Sequence, residues 1–457
     1  MDRDIFRAFS IRGVVGQNLD AETMRRIGQA LGTYVLRRGG RAITVGRDGR
    51  TSSPELGRAL VGGLLSTGVN VIDIGLTPTP VLNFATDYYG TYAGATVTAS
   101  HNPPQYNGLK IRTDYPLRGS ELALLCEMAE REDFIQGQGG LRAGAPLEAY
   151  LSRIRERVRI SCKLKVVVDG GNGTNGPVVL KLLDALGCEA VPLFCEIDGT
   201  FPNRHPDPTV PGSLDALSKT VLRERADLGL AYDGDGDRLA IVDDRGEIVL
   251  ADRLAILFAR HILRERPGAK FVFEITCTRA LREDLEARGG NPIPCPVGYA
   301  FVQEKMRAEG AAFGVEMSGH IFFDDPLLRF DDAIFASARF LEILAAAEKP
   351  LSALLSDIPH YPSTPVSRYP CPDRLKGAIV ERLKIRLAER YKVDEMDGVL
   401  VEIGDRWGLV RPSHTQPAIS VKFEAHTAEG LKHIEGLVLE ELREAFFAEG
   451  LEFPAPE

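Results

Sequence analysis

The run Thr98-Ala99-Ser100-His101-Asn102-Pro103-Pro104-Gln105-Tyr106-Asn107-Gly108-Leu109-Lys110 places a hydroxyl beside an imidazole in a segment that resists regular structure. Its two prolines, its glycine and its two asparagines force an irregular, exposed loop. A short apolar stretch, Ala95–Ala99, precedes it and reads as a strand. Open α/β sheets keep their ligand crevice at the carboxyl ends of strands, and there Ser100 would be presented. Pro103 and Pro104 are expected to stiffen the backbone and hold the hydroxyl still. Taken alone, a Ser-His pair is more often a turn rich in hydrogen-bonding residues.

Asp233-Gly234-Asp235-Gly236-Asp237-Arg238 carries a second chemistry. Three carboxylates at alternate positions, spaced by glycines, can converge on one hard cation such as Mg²⁺ or Ca²⁺; a solvated acidic turn is the alternative. A calcium EF-hand loop counted from Asp233 needs glycine sixth and glutamate twelfth, but Arg238 and Asp244 stand there. The strand-like Leu228–Ala231 before it, where a helix would be needed, also excludes that motif. Arg238 sets a guanidinium beside the metal, as suits a bridging phosphoryl oxygen; a plain salt bridge to a neighbouring aspartate is the alternative.

Gly314-Val315-Glu316-Met317-Ser318-Gly319-His320 offers an acceptor and a donor–acceptor two residues apart, able to hold adjacent sugar hydroxyls if extended. A cap or strand turn explains it equally well, and His320 reads as a general base or as a satisfied loop histidine. Arg411-Pro412-Ser413-His414-Thr415-Gln416-Pro417 groups a guanidinium, two hydroxyls and loop amides into an oxyanion receptor, or a surface turn.

These motifs need a scaffold of short strands and crossover helices, and the sequence supplies one. Ala42–Val45, Asn70–Gly75, Lys165–Asp169, Ala190–Leu193 and Asp227–Ala231 read as strands. Amphipathic stretches intervene, such as Ser52–Leu65 with Ser52 or Ser53 as cap and Pro54 near its start. The β-α-β rhythm implies a mainly parallel sheet. After the proline-rich Pro359–Pro372 segment, Gly398–Ile403 and Ala418–Ala425 alternate like antiparallel strands, with helices over Pro372–Tyr391 and Ala428–Phe447. No repeat is visible at the letter level.

At 457 residues the chain is long enough for about three or four domains. Its 44% hydrophobic and 26% charged content is that of a globular protein. A net charge of −9 argues against nucleic acid or an anionic membrane as partner, so positive charge for an anionic substrate must be concentrated locally. No signal peptide or membrane span is read, and seven scattered cysteines without a C-x-x-C pair point to buried thiols in the cytoplasm.

The whole set, in this order and spacing, resembles the α-D-phosphohexomutases, in particular the bacterial phosphomannomutase/phosphoglucomutase branch. The resemblance spans the chain. It implies three similar mixed-sheet α/β domains followed by a smaller C-terminal α+β domain around a central active-site cleft. The expected divisions are 1–147 with a phosphoserine loop, 148–250 with a metal loop, 251–364 with a sugar-recognition loop, and 365–457 with a phosphate-binding loop. In that family the serine carries a phosphoryl group, here Ser100. Asp233, Asp235 and Asp237, with Ser100, would hold one Mg²⁺. His101, Lys110, Arg12, Arg238 and His320 would complete the catalytic set, Arg12 being the last arginine of Phe6-Arg7-Ala8-Phe9-Ser10-Ile11-Arg12-Gly13. Glu316 and Ser318 would contact the sugar hydroxyls at C3 and C4. Arg411, Ser413, His414 and Thr415 would grip a non-reacting phosphate.

The implied reaction moves phosphate between O1 and O6 of mannose or glucose phosphates, with glucose 1,6-bisphosphate or mannose 1,6-bisphosphate as intermediate and activator. The expected partner is a small sugar phosphate, the chain acting as monomer or homodimer, and closure of the last domain is expected about a hinge near 359–372. Thr276 stands where some bacterial members have lysine, Tyr299 where that branch has a substrate-contacting histidine, and Phe9, Ser10 and His414 also depart from its pattern. These positions bear on sugar orientation, and Tyr299 remains a substrate-binding candidate. A phosphoglucosamine or N-acetylglucosamine-phosphate mutase, or an inactive sugar-phosphate-binding paralogue, are the alternatives. Met317, in place of the glutamine common with glucosamine, and the intact Ser100 and aspartates weigh against them. A serine hydrolase lacks its G-x-S-x-G elbow.

Overall fold

Runs of β-branched and small apolar residues between glycine-rich turns fold as the strands of four sheets. The structure is a computed structural model and describes residues 1–326, 328–413 and 416–456. The first sheet contains β1 (Ile11–Val14), β2 (Ala42–Arg47), β3 (Asn70–Leu76), β4 (Ala93–Val97), β5 (Tyr106–Arg112) and β6 (Leu141–Ala143), ordered β1-β5-β4-β2-β3-β6. The second has β7 (Lys165–Asp169), β8 (Glu189–Leu193), β9 (Leu228–Tyr232), β10 (Leu239–Val242) and β11 (Ile248–Val249), ordered β11-β10-β9-β7-β8. The third has β12 (Lys270–Glu274), β13 (Asn291–Cys295), β14 (Phe313–Val315) and β15 (Ile321–Phe323), ordered β13-β12-β14-β15.

One plan is repeated three times. A central strand (β2, β7, β12) pairs in parallel with the next two strands, one on each side. Helices make both crossovers: Ser53–Leu65 and Thr79–Tyr88, then Gly176–Ala185 and Asp215–Glu224, then Arg279–Ala287 and Tyr299–Glu309. The third strand (β4, β9, β14) is buried along its whole length, as helix-covered parallel strands are. It then turns directly into an antiparallel partner. Those turns, at 98–105, 233–238 and 316–320, are the serine, aspartate and Glu-x-Ser motifs. Three motifs unlike in sequence thus occupy one topological position.

The fourth sheet, β16 (Ser367–Pro370), β17 (Val393–Asp394), β18 (Val399–Ile403), β19 (Arg406–Pro412) and β20 (Ala418–Ala425), is wholly antiparallel. Helices Asp373–Ala388 and Ala428–Ala448 pack on it, the second started by the Thr427 side chain accepting from the Gly430 amide. The first unit has its own apolar core, the second and third share one, and the fourth has another. A small cluster of Ile275, Leu400, Trp407 and Leu409 joins the third unit to the fourth.

Some expectations hold and others shift. The first three sheets are mixed, as expected, their parallel cores each ending in an antiparallel hairpin. The strand expected at Ala95–Ala99 is Ala93–Val97, leaving Thr98 and Ala99 to the turn. Arg411 and Pro412 end β19 rather than lying in a loop, paired with Ser420 and Ile419 of β20. Ser52 holds the N-cap position of its helix, as expected, but its side chain makes no cap bond: it accepts from Asn107, while Ser53 donates to Asp48. Six of the seven cysteines are buried, while Cys162 is exposed. Pro362, Ser363, Thr364 and Ser367–Pro370 are tied to β20, which leaves 359–361 as the stretch before the fourth sheet without a backbone bond to that strand.

Candidate active site

The turn after β2 determines how Ser100 is held. Asp48, 2% exposed, accepts from the hydroxyls of Ser53 (2.5 Å) and Thr98 (2.8 Å) and from the Arg50 amide (3.1 Å). The Arg50 side chain has no solvent exposure, and all five of its hydrogen bonds are internal. Nε donates to Asp48 at 3.1 Å, Nη1 to the carbonyls of Pro103 (2.7 Å) and Tyr106 (3.0 Å), and Nη2 to those of Ser100 (2.8 Å) and Asn102 (2.5 Å). One planar fork therefore pins the serine loop at four carbonyls. Phe201, from the second unit, lies against this guanidinium at 5.0 Å. Ser100 has φ = +50°, a left-handed conformation costing a non-glycine residue about 1–2 kcal/mol. Arg50, together with the 2.8 Å bond from the Ser100 amide to Thr98 Oγ1, overrides that cost. The prolines are secondary to this clamp.

The second turn meets the first face to face. A Cβ on Gly234 would stand 2.6 Å from the Ser100 carbonyl oxygen, so only glycine lets the loops close. Ser100 Oγ donates to Asp233 Oδ2 at 2.8 Å and lies 3.2 Å from His101 Nδ1. Asp233 Oδ1 accepts from the amides of Gly236, Asp237 and Arg238, and Asn175 fixes its carbonyl at 2.7 Å. Asp235 is held by Thr79 through both hydroxyl (2.6 Å) and amide (2.9 Å). Lys110 Nζ sits between Asp235 (2.8 Å) and Asp237.

Electrostatics follow from this crowding. Burial, then the charges of Asp237 and Asp235, push the Asp233 carboxyl far above the usual range. Burial also opposes ionisation of Asp235, but Lys110 outweighs it and holds that carboxyl low. For Lys110 burial is outweighed in turn by Asp235 and Asp237, which hold its ammonium charged. Burial, reinforced by Arg238, Arg12 and Lys110, pushes His101 well below its ordinary value and keeps its ring neutral. Oxygen atoms of Asp233, Asp235 and Asp237 lie within 4.8 Å of one another. Buried Oδ1 atoms of Asp235 and Asp237 have no hydrogen-bond partner among the described residues. A buried all-oxygen donor set with spare acceptors fits a hard divalent cation; its charge would relieve the repulsion felt by Asp233.

Arg12, on β1, donates from Nε to Ser10 (3.1 Å) and from Nη1 to the side chain of Asn102 in the serine loop. Arg238 Nε donates to His320 Nε2 at 3.0 Å, and its Nη1 lies 3.8 Å from Asp207. His320 Nδ1 lies 2.9 Å from Asp331 Oδ2, and the ring stacks on Tyr299 at 5.3 Å. Tyr299 donates to the Phe9 carbonyl at 3.1 Å, so its hydroxyl is spent on the first unit. In the third turn Glu316 accepts from the Gly298 amide (2.6 Å) and the Ser318 hydroxyl (3.2 Å); the two side chains do face each other.

In the fourth unit, Arg411 Nε donates to Asp397 at 2.8 Å, and the same carboxylate oxygen accepts from the Val297 amide at 2.9 Å. That oxygen links the oxyanion-loop arginine to the segment beside Tyr299. Ser413 is 4% exposed, and its hydroxyl accepts from the Gln416 amide. Lys376 donates to the carbonyls of Ser413 (2.6 Å) and Gln416 (3.3 Å), bracing the loop from its helix. His414 and Thr415 lie outside the described residues.

Ser100, His101, Lys110, the three aspartates, Arg238 and His320 are thus joined by direct contacts around one cleft, which Arg12 reaches through Asn102 of the serine loop, with Glu316, Ser318 and Tyr299 on its third side. Sequence reasoning missed Asp48, Arg50, Thr79, Asp331, Asp397 and Lys376. Asp48 and Arg50 were visible in Gly46-Arg47-Asp48-Gly49-Arg50, but as a turn only.

Three family models match the chain: phosphoglucomutase/phosphomannomutase alpha/beta/alpha domain I over residues 3–136, domain II over 148–246 and domain III over 251–361. A phosphomannomutase/phosphoglucomutase of Pseudomonas aeruginosa is 42% identical over 442 residues, covering 96% of this chain and 95% of that protein. A phosphoglucomutase of Neisseria gonorrhoeae is 37% identical over 439 residues, 95% of each. The crystal structure of a phosphoglucomutase/phosphomannomutase family protein from Burkholderia thailandensis superposes with a TM-score of 0.93 at 38% identity, over 100% of both chains.

Proposed function

The chain belongs to the α-D-phosphohexomutase family, in its phosphomannomutase/phosphoglucomutase branch, and from that premise we propose that it interconverts the 1- and 6-phosphates of mannose and glucose by way of phosphorylated Ser100. The observation that carries this is the buried Ser100 hydroxyl 2.8 Å from Asp233, inside a half-buried ring of Lys110, Arg12, Arg238 and neutral His101. A nucleophile so surrounded suits phosphoryl transfer, which depends on positioning and charge neutralisation more than on covalent chemistry.

In the forward half-reaction the P–O bond to Ser100 Oγ breaks and a P–O bond to the free sugar hydroxyl forms. The sugar hydroxyl gives up its proton, Ser100 Oγ ends protonated, and the product is the 1,6-bisphosphate. After reorientation of the bisphosphate, the reverse step returns the other phosphoryl group to Ser100. His320 accepts the hydroxyl proton at Nε2, which requires Arg238 to leave it for a phosphoryl oxygen. The Arg238 bond already sets Nε2 as the acceptor, and Asp331, 2.9 Å from Nδ1, lends negative charge to the ring once it is protonated. Asp233, Asp235, Asp237 and a Ser100 oxygen would hold Mg²⁺, which when bound stabilises the charge of the transferring group. Lys110 and Arg12 neutralise its equatorial oxygens, and His101 orients Ser100.

Glu316 and Ser318 read the sugar hydroxyls. Arg411, Ser413, His414 and Thr415 hold the phosphate that is not reacting. A fixed receptor at one end and a single serine at the other let the site treat both ends of the sugar alike. The four units, 1–147, 148–250, 251–364 and 365–457, supply one loop each, and the last closes about 359–361. Among the described residues no helix is long and apolar enough to cross a membrane, and the dispersed, unpaired cysteines support a place in the cytoplasm.

The test is a coupled assay with mannose 1-phosphate, glucose 1-phosphate and glucosamine 1-phosphate, with Mg²⁺ and trace glucose 1,6-bisphosphate. Turnover of the first two, lost in Ser100→Ala, is expected. Preference for glucosamine 1-phosphate, or full activity in the variant, would refute the reading.

A further inference from the structure

Lys422, on β20 of the fourth unit, is only 4% exposed and points out of its own sheet into the third unit. Its ammonium donates to the Thr276 carbonyl at 2.7 Å, touches Met317 Sδ at 2.6 Å and lies 5.9 Å from the centre of the Trp407 ring. No carboxylate oxygen lies within 4.0 Å of it among the described residues. A buried cation without a touching anion is costly, so what faces it decides its purpose.

Two carboxyls of the third unit flank the residues it touches. Glu274, at the end of β12, is 2% exposed and uses Oε1 to accept from the Thr276 hydroxyl and from the Met317 amide (3.1 Å). Its Oε2 is buried with no hydrogen-bond partner among the described residues. Glu316 follows one residue before Met317. Burial and the neighbouring charge of Glu316 push Glu274 up to about 7, with Lys422 and the Thr276 hydroxyl pulling the other way. The Glu316-Met317-Ser318 turn is therefore held from beneath by Glu274, and the two carboxyls repel unless a cation offsets them.

We propose that Lys422 is a positioning residue for the sugar-reading turn: carried in by the fourth unit, it braces Thr276 and offsets the Glu274–Glu316 repulsion, so Glu316 and Ser318 are set for hydroxyls only when that unit is docked. This rests on the reading of Glu316 and Ser318 as sugar contacts. The phosphate loop 413–417 leads directly into β20, which carries Lys422. One rigid strand thus couples grip on the distal phosphate to reading of the sugar ring.

The test compares Lys422→Met, Lys422→Arg, Glu274→Gln and Glu274→Gln/Lys422→Met in steady-state assays with mannose 1-phosphate and glucose 1-phosphate. Methionine keeps the length of the side chain and suits the Met317 and Trp407 surroundings, and thermal unfolding checks that each variant folds. The expected result is a KM raised at least tenfold in Lys422→Met with kcat within threefold, largely restored in Lys422→Arg and in the double variant. An unchanged KM, a loss confined to kcat, or a double variant no better than Lys422→Met overturns the proposal. Glu316→Gln separates the two levels. If it raises KM while Lys422→Met does not, this inference alone fails; if it leaves KM unchanged, the sugar-contact reading fails and takes the inference with it.

Discussion

Replacing Arg50 by lysine is expected to loosen the Ser100 loop while leaving the rest of the protein intact. Arg50 makes five hydrogen bonds, four of them to carbonyls of Ser100, Asn102, Pro103 and Tyr106. A lysine ammonium has three donors, so at least two acceptors lose their partner. An unsatisfied buried acceptor costs about 1–3 kcal/mol, which gives about 2–6 kcal/mol. Asn102, Pro103 and Tyr106 are only partly buried, and water can reach some of their carbonyls, which favours the lower part, about 2–4 kcal/mol. In the opening equilibrium of the loop that is roughly thirtyfold to a thousandfold. Hydrogen exchange of peptides spanning 98–109 should accelerate by that factor, while peptides from the fourth sheet stay unchanged. The same variant should lose at least tenfold in kcat with a smaller change in KM, because the hydroxyl, not the sugar site, is displaced. Unchanged loop exchange together with unchanged kcat would show that Pro103 and Pro104, not Arg50, hold Ser100.

Asp332→Asn tests a buried carboxyl that caps its helix one residue after Asp331. Burial holds Asp332 protonated up to about 7, whereas an unfolded aspartate ionises near about 3.9, so in between the folded chain keeps a proton that the unfolded chain releases. Native stability therefore falls as pH rises through that window, and asparagine, which still caps its helix and still accepts from Tyr150, removes the loss. Guanidinium unfolding should show the variant gaining about 2–4 kcal/mol relative to the native chain between pH 4 and pH 8; a pH-independent difference would refute this. Asp237→Asn should raise the half-activating Mg²⁺ concentration at least tenfold, measured by titrating activity with the ion, and an unchanged value would remove Asp237 from the metal site. Lys376→Met releases two carbonyls of the phosphate loop at about 1–2 kcal/mol, so KM for hexose phosphates should rise about fivefold to thirtyfold with kcat little changed; a reversed split would refute its bracing role.

Sequence alone made the chemistry legible where side chains must be of one type. Asp233, Asp235 and Asp237 point to a cation site because three carboxylates in one turn repel one another without a positive counter-charge. Ser100 stood out because its loop could be neither helix nor strand. What stayed hidden were residues that act through geometry formed only on folding. Arg50 reads as a surface turn arginine until β2 and β4 are paired, which sets its fork beneath carbonyls fifty residues away. Asp331 and Asp397 are likewise ordinary carboxylates until a histidine or an arginine from another segment arrives. The threefold repeat was invisible in the letters because only the positions of turns recur, and those turns hold different motifs. Arg406–Pro412 was passed over as a strand since Arg411 and Pro412 resemble loop residues, although proline is tolerated at a strand end.

The central claim is that Ser100 itself carries the phosphoryl group that is exchanged. Enzyme phosphorylated with labelled glucose 1,6-bisphosphate, freed of excess sugar and mixed with glucose 6-phosphate in a rapid-quench device, tests it most directly. Label should begin on the peptide containing Ser100 and pass to glucose 1,6-bisphosphate, one equivalent per chain, no slower than turnover. Label on another residue, or a phosphorylated Ser100 that does not transfer within the time of a turnover, would contradict the account.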